Sequence, residues 1–144
     1  MQSVSFGTSV KKIECDAFSG CSSLSTVNYK GTKKDWNSIN INKYGNGYLI
    51  NAYCNYIVGA SDISISDDSA VIGIGGSKTL TATVTPDNAY DKTVTWTSSN
   101  KAIATVDSNG LVTAISAGNA VITCTANDGG YAATCDIYVV ELLD

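Results

Sequence analysis

From Asp62 onward the chain alternates apolar and polar residues in short runs broken by turn residues, as half-buried strands facing a common core require. The pattern predicts eight strands: DISIS (62–66), AVIGI (70–74), KTLTATV (78–84), TVTWTS (93–98), AIATV (102–106), LVTAI (111–115), NAVITCTA (119–126) and YAATCDIYVV (131–140). Between them stand turn formers such as Ser66-Asp67-Asp68, Gly75-Gly76, Asp107-Ser108-Asn109-Gly110 and Asp128-Gly129-Gly130. Pro86, the only proline, falls where a strand must end. Parity counted from Trp96 points Leu80, Ala82, Val84, Val94, Trp96, Ala104, Val106, Val112, Ala114, Ile122, Cys124, Cys135, Ile137 and Val139 inward. Threonine and serine take the outer positions, and Trp96 is expected to anchor the core.

The first sixty residues follow another rhythm. Ser3-Val4-Ser5-Phe6 is echoed by Thr26-Val27-Asn28-Tyr29, Val27 answering Val4 and Tyr29 answering Phe6, with Val10, Ile13, Ala17, Phe18, Cys21 and Leu24 between them. The interval from Val4 to Val27 suits a stacked coil that buries those side chains, each repeat covering its neighbour. Thr32-x-x-Asp35 predicts the start of a small helix, the hydroxyl accepting from an orphan backbone N–H, and Trp36 and Ile39 can then face the last coil. The domains expected are therefore 1–60 and 61–144, the first beginning within a solenoid whose N-terminal face meets further repeats of a parent chain.

Charge supports the same boundary. Residues 1–60 carry six Lys against Glu14, Asp16 and Asp35, while 61–144 carry three Lys against ten acids. Arg and His are absent, which removes the commonest bidentate phosphate reader and the commonest general base. Nucleic-acid binding is not expected. No run of about 18 apolar residues exists, so no membrane insertion is expected. The start, MQSVSFG, lacks the apolar core of a signal peptide, leaving a cytosolic protein or a piece of a longer secreted one; the mid-coil beginning favours the piece.

Two resemblances sharpen this. SVKKIECDAFSGCSSLSTVNY resembles the repeat of the BspA-like (Treponema-type) leucine-rich repeat family, on Ala17-Phe18, Cys21, Leu24 and Val27, and YKGTKKDWNSININKYGNGYLINAYCNYIVG is similar to the cap that ends such regions. GGSKTLTATVTPDNA, VTWTSSN, AIATVDSNGLVTAISAGNAVITCTA and TCDIYVV together resemble the bacterial immunoglobulin-like group 2 domain. The resemblances imply a mainly β chain: an Ig-like β-sandwich preceded by a short leucine-rich-repeat end and cap with a small helix. They also imply an extracellular, bacterial cell-surface setting without catalytic activity. Adhesion, protein or glycan binding, or spacing is the role expected; the alternative is an accessory module of a large secreted glycoside hydrolase or peptidase.

Candidate sites are few. Eight of the twelve aromatics lie in the first half, most of them expected to close the coil, with Phe18, Cys21 and Trp36 in its core as Trp96, Ile122 and Ile137 are in the sandwich. Tyr44 and Tyr48, beside a flexible Gly45-Asn46-Gly47, are the candidates for contact with an extracellular protein or carbohydrate, since flat rings with polar tips suit such surfaces. Gly73 to Thr79 lacks the Gly-Lys-Ser/Thr order of a phosphate loop, and Asp107 to Gly110 lacks the closing acids of a calcium loop; both read as turns. Asp62, Asp67, Asp68, Asp87 and Asp91 are weighed as a calcium site and set aside. No catalytic residue, metal or cofactor is assigned. Of the five cysteines, Cys124 and Cys135 fall opposite each other if Gly129-Gly130 forms a two-residue turn. Two reduced thiols are expected there over a disulfide.

Overall fold

The computed structural model describes residues 1–143, and the chain divides into two compact units, Met1–Gly59 and Ala60–Asp144. In the first, β1 (Ser3–Phe6), β2 (Lys12–Ile13), β3 (Thr26–Tyr29), α1 (Lys33–Asn37), β4 (Asn40–Ile41), α2 (Gly47–Ile50) and β5 (Tyr53–Tyr56) follow in order. β1, β3 and β5 form a parallel sheet with Val4 beside Val27 and Val27 beside Cys54, and β2 pairs with β4 in parallel on another side. Successive coils thus advance from Ser3 to Thr26 and then from Thr26 to Tyr53, the second step being the longer. The third strand had no counterpart in the repeat read from the sequence, because its longer spacing and two tyrosines hide the match.

Ile13, Leu24, Val27, Tyr29, Ile39 and Leu49 fill the coil. Phe18, Cys21 and Trp36 are half-buried and packed against them. Trp36 covers the end of this core, its ring 5.8 Å from Phe6 and 5.4 Å from Tyr29. It is carried by α1, whose first turn is closed by a reciprocal box: Asp35 N–H donates to Thr32 Oγ1 (3.2 Å) and Thr32 N–H to Asp35 Oδ2 (3.1 Å). The Thr32 hydroxyl, which donates to Asp35 Oδ2 (2.6 Å), and after it the Thr32 N–H hold the Asp35 carboxyl below its ordinary value. Ala17, expected inside, is exposed, because Asp16 takes a left-handed backbone (φ 58°) that turns the chain outward there.

The second unit is a sandwich of nine strands: β6 (Asp62–Ile65), β7 (Ser69–Gly73), β8 (Ser77–Thr79), β9 (Ala82–Thr85), β10 (Val94–Ser98), β11 (Ala104–Val106), β12 (Leu111–Ala114), β13 (Gly118–Ala126) and β14 (Ala132–Val140). One sheet runs β10-β13-β14-β7, and its inner face meets β11-β12-β8 along part of its length and the β6-β9 pair along the rest. The run KTLTATV, expected as one strand, is two. At Leu80 the chain leaves one sheet for another: Leu80 N–H donates to Gly110 O (2.9 Å), Thr81 N–H to Ser66 Oγ (3.1 Å), and the Leu80 side chain drops into the core.

Most of the inward set is buried: Leu80, Val84, Ala104, Val112, Ala114, Ile122, Cys124, Cys135, Ile137 and Val139. Ala82, Val94, Trp96 and Val106 are half-buried. Trp96 packs against two adjoining clusters, one around Ile122 and Ile137 and the other around Ile63 and Val84. Gly110 permits this approach: its φ is 82°, and a β-carbon there would stand 3.0 Å from Trp96 Cζ2. The Asp107 turn before it is closed by its own carboxylate, Oδ1 accepting from Asn109 N–H (2.8 Å) and Leu111 N–H (2.9 Å).

The β13-β14 hairpin corrects the cysteine register. Cys124 faces Ala133 and Cys135 faces Ile122, since the loop runs from Asn127 to Gly130 and is closed by Ala126 N–H to Tyr131 O (2.7 Å). Two consecutive left-handed glycines, at φ 79° and 70°, allow that wider loop. The two thiols are therefore diagonal neighbours, both buried and both free.

Burial pushes the Cys124 thiol up to about 11 from its ordinary 9.0, and Cys135 is raised too, by burial first and then by Asp67 and Asp136. A thiol that ionises later in the native state than in the unfolded one stabilises the fold fully below pH 9, and this contribution is lost as pH climbs toward 11. Denaturation midpoints of the second unit are expected to fall over that window, and less steeply in Cys124→Ala. Native alkylation at pH 8, read by mass, is expected to reach the exposed Cys15 and to spare Cys124 and Cys135 until the protein is unfolded.

Candidate binding surface of the first unit

Asn46 organises the loop that carries the two candidate tyrosines. It is fully buried, and its amide is saturated: Oδ1 accepts from Phe18 N–H (2.9 Å), while Nδ2 donates to Glu14 O and Asn42 O, both at 2.7 Å. A buried side-chain amide with each bond satisfied fixes the backbone it touches. Gly45-Asn46-Gly47 is thus a pinned turn, where the sequence suggested a flexible one. Asp16 N–H donating to Tyr44 O (3.0 Å) ties the same turn to the preceding coil, and Gly45 (φ 72°) lies too close to Asp16 for any side chain.

The tyrosines project from this fixed base in different settings. Tyr48, on α2, is 45% exposed and walls a cleft of about 450 Å³ together with Ser19, Gly20, Leu24, Gly47 and Asn51. Tyr44 is 75% exposed and stands outside that cleft. Asn51 Nδ2 donates to Gly47 O (2.8 Å), which orients its Oδ1 as an acceptor. The cleft therefore combines a flat ring with a phenolic tip, an apolar floor at Leu24 and one oriented amide, a set suited to a ligand with both apolar and hydroxyl faces. Tyr53, on β5, is 71% exposed as well; its place at the start of a strand was not legible without the coil register.

The second unit offers less. A cleft of about 290 Å³ is lined by Trp96, Thr97, Ser98, Lys101, Thr105 and Val106, so part of the tryptophan expected at the centre of the core faces solvent. Among the described residues, no three Cys, Asp or Glu side chains converge as metal ligands. Three of the five acids weighed for calcium are engaged elsewhere: Asp62 with Ile63 N–H (2.8 Å), Asp67 with Lys78 (3.3 Å), and Asp91 with Thr93 N–H (2.8 Å). Ser66 and Lys78 hold the Asp67 carboxyl below its ordinary value. No helix of the described residues is long and apolar enough to cross a membrane.

Known proteins extend this picture. The chain is 34% identical over 112 residues to a 3-O-alpha-D-galactosyl-alpha-L-arabinofuranosidase of Bifidobacterium longum subsp. longum, covering 77% of this chain and 10% of that protein. It is 49% identical over 63 residues to an alpha-L-arabinofuranosidase of the same subspecies, covering 44% of this chain and 6% of that one. The chain thus spans a tenth or less of either enzyme. Among solved structures, domains 4 and 5 of the S-layer protein SbsC share the fold with a TM-score of 0.51 at 19% identity, over 60% of this chain and 55% of that one. Residues 60–137 match the bacterial Ig-like domain (group 2), and on that match, with the sandwich described above, the chain belongs to the bacterial Ig-like group 2 family.

Proposed function

We propose that this chain is a non-catalytic stretch of a larger, modular extracellular bacterial protein of the carbohydrate-active class. In this reading Ala60–Asp144 is a spacer, and Met1–Gly59, the end of a BspA-like leucine-rich-repeat coil with its cap, supplies a carbohydrate-contact surface at Tyr48 and Tyr44. Further coils of the same kind would stack on the open edge of β1. One observation carries the choice of class: the alignment with the galactosyl-arabinofuranosidase, over 112 residues, is longer than Ala60–Asp144, so it includes part of the first unit as well. The parallel coils and the Tyr48 cleft support the assignment of contact to that unit.

Titration of the full chain with galactose- and arabinose-containing oligosaccharides tests the proposal. Tyr48→Ala is expected to weaken binding about tenfold, the loss of roughly 1.4 kcal/mol that one aromatic contact supplies. Tyr44→Ala is expected to have a smaller effect, since Tyr44 stands outside the cleft. If neither substitution changes binding, the aromatic surface is not the contact; binding to matrix proteins in place of glycans would favour the adhesive reading.

A further inference from the structure

The strand near the start of the second unit and the strand at its end lie side by side and point the same way. β7 pairs with β14 in parallel, Ser69–Gly73 against Asp136–Val140. Asp136 N–H donating to Asp68 O (2.9 Å) closes the ladder at one end, and Ile74 N–H donating to Val140 O (3.0 Å) closes it at the other. We propose that this patch makes Ala60–Asp144 a mechanical module, which resists tension applied along the polypeptide through its two ends. The inference rests on the spacer reading and adds a mechanical property to it.

Tension arriving from the N-terminal side reaches β7 at Ser69, and tension toward the C-terminus leaves β14 at Val140. In a parallel pair these points lie at opposite ends of the ladder. The pull therefore slides one strand along the other and strains every interstrand bond together. In an antiparallel hairpin such as β13-β14, the two free ends lie at the same end of the ladder, and its bonds open one after another. Sliding must also drag Ile72, Ile137 and Val139 through a shared core. Leu142 lies over Gly73, where a β-carbon would stand 3.0 Å from Leu142 Cγ, and so prolongs the contact past the last ladder bond. The approach to β6 is pinned as well: Ala60 N–H donates to Asp128 Oδ2 (2.7 Å) and Ser61 N–H to Thr85 O (2.8 Å).

Single-molecule stretching of the full chain tests this, because forced unfolding reads the unfolding barrier directly. Unfolding of the second unit is recognised by its length, since the polypeptide from Ala60 to Asp144 extends to at most about 280–310 Å. Held at residues 1 and 144, the unit is expected to yield at a severalfold higher force than when held at Gly75 and 144. Gly75 lies in the turn after β7 with open space around it, and from there the same ladder is unzipped. The alternation set by Asp68 O and Ile74 N–H directs the Ala70 N–H at β14 and the Val71 N–H away from it. Ala70→Pro is expected to bring the end-to-end force down toward the Gly75 value, and Val71→Pro to leave it nearly unchanged. Equal forces in the two pulling geometries of the wild-type chain would overturn the proposal while leaving the spacer and glycan-contact reading standing. So would equal losses in the two variants. Failure of the oligosaccharide titration, in turn, would not alter the force result.

Discussion

Ile122→Ala lowers the stability of the sandwich by about 3 kcal/mol, within the 2–5 kcal/mol that a buried isoleucine loses on truncation to alanine. Ile122 is completely buried, faces Cys135 across the hairpin and shares a cluster with Leu80, Val112 and Ile137. Elements of both layers close around its side chain, so the space it leaves cannot be refilled from one side alone. At roughly 4–8 °C per kcal/mol for a domain of this size, the unfolding midpoint drops by roughly 12–24 °C. The chain has two tryptophans, one in each unit. Fluorescence in a Trp36→Phe background therefore reports the sandwich alone, through Trp96. Val121→Ala, one residue away on the half-buried outer face, is expected to cost less than half as much.

Asn46→Leu destabilises the first unit by about 3 kcal/mol, three hydrogen bonds each contributing about 1 kcal/mol net. Leucine keeps the branching of asparagine but is bulkier and carries no polar atom, so the loss reports the bonds to Phe18 N–H, Glu14 O and Asn42 O together with the crowding of a fully buried site. A unit as short as Met1–Gly59 has a small margin, and much of it goes with this one amide. Urea unfolding in a Trp96→Phe background, read through Trp36, measures the effect. Asn46→Asp keeps the acceptor toward Phe18 but turns two donor contacts into carboxylate–carbonyl repulsions, and is expected to be no better tolerated.

The sandwich was legible because its strands face water on one side, so that Ala120, Ile122, Cys124 and Ala126 alternate with Val121, Thr123 and Thr125 as a period of two demands. Two features escaped for the same reason: backbone partners leave no mark in side-chain pattern. Parity runs unbroken from Lys78 to Val84, yet the hydrogen bonds of Leu80 and Thr81 go to different elements. Likewise Gly129-Gly130 reads as a two-residue turn, and only the pairing of Thr125 with Ala132 reveals the wider loop. In the first unit the echo of Val4 and Phe6 in Val27 and Tyr29 located β1 and β3, whereas β5 was hidden by the longer step from Thr26 to Tyr53. Asn46 gave the opposite lesson. Between two glycines an asparagine reads as solvent-exposed turn chemistry, and its burial follows only from the coil wrapping around it.

Ser69 of β7 pairs with Asp136 of β14, most of the unit later in the chain. During synthesis at about 5–20 residues per second, β7 emerges several seconds before its partner exists. Closure of the sandwich is therefore the last event of its biogenesis, and the waiting strand, with Ala70, Val71 and Ile72 in a row, is a template for wrong pairing. Asp67 and Asp68 directly before it, and Gly75-Gly76 directly after, place charge and flexible backbone at both flanks. Neutralising those two aspartates would expose the nascent chain to association with its neighbours long before it altered the finished fold.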